Sequence, residues 1–396
     1  MNRPDRPADT LPREFPARLQ DLPPPQARFC LGIERFLRDE LGVCPAGTTL
    51  VLGLSGGLDS TALALVLHYL APRLGCSLAA AHLDHGLRPE STDDARAVQA
   101  LCRQLNIPCT LEHCDVQARA VADRTGLEAA GRSARYELME RTRRARTPGF
   151  VVTGHQLDDL AEDQLMRLVR GAGWPALGGM AGFDPGRNLL RPLLLTPRHA
   201  LAAFLRALGR TWRHDASNED ERFLRNRIRA RILPALKQEN PAYLDGAAAL
   251  WRQARLDADY WTRALPETPP DALDSALLRE LHPAQRLRLY KRAIETLGPG
   301  QPLCETLLRL DRSWQERRSG ACFQFPGGKT ARITRQGIAF SPPDGGGPGS
   351  RHPDAATSGP EQRLCAESEP GPDHGIDSAE GSGYRLVNSL TRRDGP

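Results

Sequence analysis

The sequence predicts an α/β fold built on a doubly wound parallel sheet, followed by a mainly helical second domain. Three observations predict it. Short apolar runs alternate with longer amphipathic ones from about residue 27 to 218, helical periods follow one another after Asn218, and a glycine-rich turn joins the first apolar run to the next segment. At 396 residues the chain has room for two or three domains.

Residues 1–26 are rich in proline and charge without a hydrophobic period, and read as a disordered arm. From Ala27 the pattern gives a helix, strand 49–55, a helix from Ser60, strand 77–83, a helix from Asp93 and strand 109–114. A helix from Glu128, strand 150–154 and a helix from Leu157 complete it. Strand, crossover helix and strand in repetition require parallel pairing with helices on both faces. Ligands of such sheets bind at the carboxyl ends of the strands. The nucleotide-binding domain is therefore expected at 27–218 and a helical substrate-binding domain at 219–341. The second has helices at 222–236, 241–264, 271–280, 283–296 and 302–316. Strand-like runs 321–325 and 331–341 close it, joined as a hairpin across Pro326-Gly327-Gly328. Residues 342–396 hold 10 Gly and 8 Pro, a disordered composition, and are assigned no fold.

The net charge of +5 is too small to announce a nucleic-acid partner by itself. Lys237, Lys291 and Lys329 are the only lysines, so arginine carries almost all positive charge. Bidentate phosphate recognition and a GC-rich genome both account for that bias. The nine cysteines form no C-x-x-C pair, which argues against a zinc ribbon, an iron–sulfur site or a disulfide framework. No apolar run long enough for a signal or membrane segment occurs, and a soluble cytoplasmic protein is expected.

The sharpest motif is Ser55-Gly56-Gly57-Leu58-Asp59-Ser60, between an apolar strand and a helix. Two glycines let backbone N–H groups close on oxyanions, while Ser55, Ser60 and the helix N-terminus add donors. The loop lacks the lysine of a kinase-like G-x-x-x-x-G-K-[ST] site. Asp59 in such a cradle suits a shared Mg²⁺. A plain glycine turn with Asp59 or Ser60 as helix N-cap fits the same residue types.

Four further stretches follow in order. They are His82-Leu83-Asp84-His85-Gly86-Leu87-Arg88, Glu128 to Tyr136, Thr153-Gly154-His155-Gln156-Leu157-Asp158-Asp159-Leu160-Ala161-Glu162 with Arg170-Gly171-Ala172-Gly173 beyond it, and Asp215-Ala216-Ser217-Asn218 running into Arg225-Asn226-Arg227-Ile228-Arg229. With the glycine loop, they resemble the tRNA(Ile)-lysidine synthetase family of the PP-loop ATP-pyrophosphatases over about 50 to 340. The resemblance implies a HUP-like nucleotide fold, ATP and Mg²⁺ as cofactors, and tRNA(Ile) with a CAU anticodon and free L-lysine as substrates. It implies a ligase that adenylates C2 of the wobble cytidine and lets the lysine ε-amine displace AMP. Cytidine thiolation and a non-catalytic ATP- or tRNA-binding protein are the alternatives. The family's thiolation chemistry uses paired cysteines, which this chain lacks. Activation makes chemical sense, since a carbonyl oxygen leaves poorly and AMP well. Lysine at pKa ~10.4 costs roughly 4.6 kcal/mol to neutralise at pH 7, so a desolvating site or a base is needed.

By that resemblance ATP falls to Ser55, Gly56, Gly57, Leu58, Asp59, Ser60, His82 and His85. Catalysis falls to Asp59, Arg132, His155, Asp158, Asp159 and Glu162, with Mg²⁺ on Asp59 and Asp158. RNA contact falls to Arg88, Arg132, Arg135, Arg170, Arg225, Arg227 and Arg229. Two of these groups also have structural readings. The carboxylates on the helix from Leu157 repel one another unless a cation, substrate ammonium or Mg²⁺, sits among them, but they equally suit a solvated acidic first turn. The arginines of 222–231 suit RNA phosphates, a solvated face or a link between domains. Gln156 and Asp163 stand where the family carries histidine and threonine, leaving His155 as the one imidazole of its motif. The sequence leaves the oligomeric state open, with a homodimer among the options.

Overall fold

A computed structural model describes residues 16–86, 91–146, 148–213, 222–267, 271–298 and 300–343. Arg88, the 215–218 segment, most of the N-terminal arm and nearly all of the C-terminal tail lie outside the described residues.

In chain order the first elements are α1 (Pro24–Arg35), β1 (Thr49–Gly53), α2 (Leu58–Leu74), β2 (Ser77–Asp84), α3 (Ser91–Gln104) and β3 (Cys109–His113). There follow α4 (Val116–Asp123), α5 (Leu127–Arg144), β4 (Gly149–Val152), α6 (Leu157–Val169), β5 (Phe183–Asp184), β6 (Leu189–Leu190) and α7 (Arg198–Ala207). Next are α8 (Leu224–Arg227), α9 (Leu233–Glu239), α10 (Tyr243–Ala264), β7 (Ala272–Asp274), α11 (Ser275–Glu280), α12 (Pro283–Thr296), α13 (Cys304–Gln315), β8 (Cys322–Phe325), β9 (Lys329–Ile333) and β10 (Gly337–Ser341).

The described chain divides into two compact units. The first runs to Asp163 and resumes over Met180–Ala248; the second comprises Gln164–Gly179 and the described residues from Ala249 onward. This differs from the expected division at 218, because α8 and α9 fall in the first unit.

The first unit holds a six-stranded sheet ordered β3-β2-β1-β4-β6-β5. All pairs are parallel except β5 with β6. Val51, Ala79, Ala81 and Val151 pack with Ala134, Leu138 and Met139 of α5 on one face. By strand alternation Leu50, Leu52, Ala80 and Val152 point the other way, and each is fully buried. α2, which is apolar nearly all round, packs against β1 and α7. The expected α/β fold is present. Sequence periodicity missed β5 and β6, which at two residues each show no period, and it passed over α4 and α7.

The second unit adds to its helices a four-stranded antiparallel sheet ordered β7-β10-β9-β8. The hairpin across Pro326-Gly327-Gly328 forms, with Phe325 opposite Lys329 and positive φ at both glycines. The expected single strand 331–341 is two strands, because Thr334 and Gly337 close a tight turn (Thr334 N–H to Gly337 O, 2.8 Å). The helix expected from 271 begins instead as β7, whose Leu273 enters a core with Leu289, Tyr290, Leu310 and Phe340. Buried Arg286 and Asp311 pair at 2.7 Å beneath it, joined by Tyr290 Oη at 3.0 Å. Among the described residues no helix is long and apolar enough to cross a membrane.

Candidate active site at the carboxyl edge of the parallel sheet

One row of the sheet runs Ala80, Leu52, Val152, Leu190 across four strands. Parallel pairing therefore delivers the residues just beyond that row, Ser55, His82, His155 and Arg191, to one edge. The glycine loop crosses this edge from β1 into α2. Gly56 takes φ +80°, and Gly57 caps the helix in extended conformation. Ser60 Oγ accepts from Ser55 N–H at 3.2 Å and donates to Gly57 O at 3.2 Å, drawing the loop into a ring. The first turn of α2 leaves N–H groups without intrahelical acceptors, as an anion cradle requires. Arg213 fastens the loop from outside, its N–H bonding Gly56 O at 3.0 Å and its Nε bonding Asp94 at 2.6 Å.

Asp59 follows the cradle and has a buried Oδ1 with no hydrogen-bond partner. Burial first, then the charge of Asp159, pushes its carboxyl up to about 7, against the opposing charges of Arg198 and Arg229. Gly154 makes this placement possible. A Cβ there would lie 3.1 Å from the Asp59 backbone carbonyl, so the segment after β4 touches the first turn of α2.

His82 is buried, its Nδ1 2.7 Å from Leu54 O, and its Nε2 is buried without a partner. His85 lies over Gly131 of α5, which brings together two motifs separated in sequence. His155 is 2.8 Å from Thr153 Oγ1 through Nδ1. Desolvation above all, and then the charges of Arg191, Arg225, Arg132 and Arg135, hold its pKa well below the usual value. These charges and its burial favour the neutral imidazole of His155.

Sequence reasoning missed Arg191. It is 6% exposed, its Nε is buried without a partner, and its Nη1 donates to Ala181 O at 2.5 Å. Nearby, Arg132 and Arg187 lie over the Tyr136 ring at 5.0 and 5.6 Å from its centroid. Tyr136 Oη is buried without a partner. The signal for Arg191 was present in the sequence as an arginine directly after an apolar pair, but that pair was too short to read as a strand.

The carboxylates of α6 receive their cations from the chain itself. Asp159 Oδ1 accepts from Arg225 Nη2 at 2.9 Å and Arg229 Nη2 at 3.0 Å. Glu162, 1% exposed, takes Arg225 Nε at 3.0 Å and Arg229 Nε at 2.7 Å. Asp158 is tied to Lys237 and to the Arg198 N–H, the latter at 3.0 Å. Below them Ala161, Leu233 and Ala247 pack together.

Three expectations change accordingly. The acidic helix is neither a solvated first turn nor a cage awaiting an external cation, because Arg225 and Arg229 already neutralise it. Those two arginines face Asp159 and Glu162 rather than an open surface, whereas Arg227 donates to Arg222 O at 2.7 Å. Asp158 does not fit a metal ligand, since both its oxygens have donors. Asp59, with a bare buried oxygen and a raised pKa, does fit one. No group of three or more His, Cys, Asp or Glu placed to hold a metal forms among the described residues. Arg135 is exposed in the first unit, and Arg170 is exposed in the second. Trp174, directly after the Arg170–Gly173 stretch, donates through Nε1 to Asp257 at 2.6 Å.

The PP-loop domain family matches residues 31–236. The tRNA(Ile)-lysidine synthase of Nitratidesulfovibrio vulgaris is 48% identical over 323 residues, covering 75% of this chain and 92% of that protein. That of Thermobifida fusca is 35% identical, over 78% of this chain and 95% of its own length. That of Deinococcus radiodurans is 39% identical over 59% of this chain but only 39% of its own length.

Proposed function

Since the chain belongs to the tRNA(Ile)-lysidine synthase family of PP-loop proteins, we propose that its sheet edge makes lysidine on tRNA(Ile) from ATP and free lysine. The observation that carries this at the level of geometry is Oδ1 of Asp59, buried without a hydrogen-bond partner beside a serine–glycine cradle at a helix N-terminus.

The C2 oxygen of the wobble cytidine attacks the α-phosphorus of ATP and pyrophosphate leaves. The lysine ε-amine then attacks C2, loses a proton, and AMP departs with the oxygen. The enzyme is a ligase forming a carbon–nitrogen bond. Ser55, Gly56, Gly57, Leu58 and Ser60 hold the leaving pyrophosphate through backbone and hydroxyl donors. His82 Nε2 offers the nucleotide one more polar contact. Asp59, once ionised, would hold Mg²⁺, whose charge offsets that of the phosphates.

Buried Arg191 and half-buried Arg132 supply positive charge for an oxyanion that arrives with the substrates. Exposed Arg135 and Arg170, together with Arg227, contact RNA, while Arg225 and Arg229 position Asp159 and Glu162. His155 acts as a neutral hydrogen-bonding group, because an imidazole with a lowered pKa matches an ammonium near 10.4 poorly. The second unit holds tRNA. The reaction belongs to the cytoplasm, where its tRNA substrate resides.

Purified protein, ATP, Mg²⁺ and labelled lysine should put acid-stable label into tRNA(Ile) bearing CAU and none into the CAU methionine tRNA. Absence of label, or label in both, overturns the assignment. AMP release that requires lysine separates an enzyme from a binder.

A further inference from the structure

In the second unit, α13, the following turn and β8 line a cavity of about 660 Å³. Arg309 and Arg312 stand one turn apart on α13, and Arg318 follows in the turn. Glu316 is the sole acid among the lining residues, and Arg318 engages it at 2.7 Å. Arg309 and Arg312 therefore face no other carboxylate of the lining.

The rest of α13 has a packing role. Leu307 and Leu310 are in the core, and Asp311 is paired with Arg286. The two arginines lie on the opposite, exposed side and contribute nothing to that core. Thr306 adds a hydroxyl to the lining, and half-buried Phe323 adds an aromatic ring. Exposed guanidiniums of one sign, spaced by a helical turn in a lining that also holds an aromatic ring, suit a phosphodiester strand. They do not suit a small apolar ligand, which needs enclosing apolar walls.

We propose that this groove binds the sugar–phosphate backbone of the tRNA, with Arg309 and Arg312 each on a phosphate. The proposal rests on the tRNA-modifying reading above and adds the surface through which the second unit takes part.

The test compares wild type with Arg309→Gln/Arg312→Gln, Arg309→Lys/Arg312→Lys and Glu316→Gln. It measures tRNA Kd across KCl concentrations, ATP Kd and the melting temperature. The glutamine pair should weaken tRNA binding about tenfold and flatten the log–log salt slope by about 1.5, since each phosphate contact contributes about 0.7–0.9. The lysine pair should keep most of the slope, Glu316→Gln should tighten tRNA binding, and ATP affinity should not move. A glutamine pair with wild-type affinity and slope overturns the groove alone. So does equal loss in both pairs accompanied by a lowered melting temperature, which marks a folding role. A wild type that does not bind tRNA overturns the groove and the functional reading together.

Discussion

Arg229 clasps Glu162 through two hydrogen bonds, Nε to Oε1 at 2.7 Å and Nη2 to Oε2 at 2.9 Å, and Glu162 is almost wholly buried there. A bidentate bond to a buried carboxylate fixes both side chains, so α6 carries its acids in one geometry beside the phosphate loop. Arg225, four residues earlier, adds one bond to Glu162 at 3.0 Å and one to Asp159 at 2.9 Å.

Replacing Arg229 with glutamine leaves Glu162 buried with half its compensating charge. Loss of one partner from a buried pair costs about 3 kcal/mol. Thermal or denaturant unfolding of Arg229→Gln should show that loss, and the salt dependence of tRNA binding should keep its wild-type slope. An unchanged stability with a flatter slope would return Arg229 to the RNA surface.

Asp59 gives the stability a pH dependence of known sign. Its folded pKa of about 7 lies above the ordinary 3.8. Below pH ~4 both folded and unfolded states are protonated and nothing is lost. Between ~4 and ~7 the unfolded state ionises first, so stability falls by roughly 4 kcal/mol and stays lower above pH 7. In chelator-treated protein, Asp59→Asn should match wild type at pH 4 and exceed it at pH 8, while failing to release pyrophosphate. Denaturant curves at the two pH values check the first part, and a pyrophosphate assay the second.

Gly154→Ala would place a methyl 3.1 Å from the Asp59 carbonyl and 3.2 Å from Ser60 N. Both neighbours are backbone, so the first turn of α2 must move by a few tenths of an ångström. ATP affinity should fall by about tenfold, worth ~1.4 kcal/mol, with the fold retained. Calorimetric titration with a non-hydrolysable ATP analogue measures it, and wild-type affinity would show that the contact relaxes freely.

His155 should stay neutral in the folded protein at pH 6, where an ordinary imidazole is mostly charged. Nitrogen-15 NMR of its ring reports the state directly. A charged ring at pH 6 would restore it as a candidate proton acceptor.

The parallel sheet and the glycine loop were legible in the sequence because both are local. Strand alternation and turn chemistry act over a few residues, so β1 to β4 and the 55–60 loop emerge close to their expected positions. Motif order also led to the family, since Ser55-Gly56-Gly57 and the His155 to Glu162 stretch keep their spacing whatever the rest of the chain does.

What only the tertiary structure decided is which charge meets which. Arg225 and Glu162 are 63 positions apart in the chain, and no local pattern distinguishes an arginine that closes on a buried carboxylate from one that awaits a phosphate. Arg191 stayed unnoticed for the same reason. Its burial comes from parallel pairing of Leu190 with Val152, and a two-residue strand carries no period to announce it. Composition and spacing set the elements and their chemistry, whereas Coulomb interaction and desolvation depend on distances that exist only once the chain has folded.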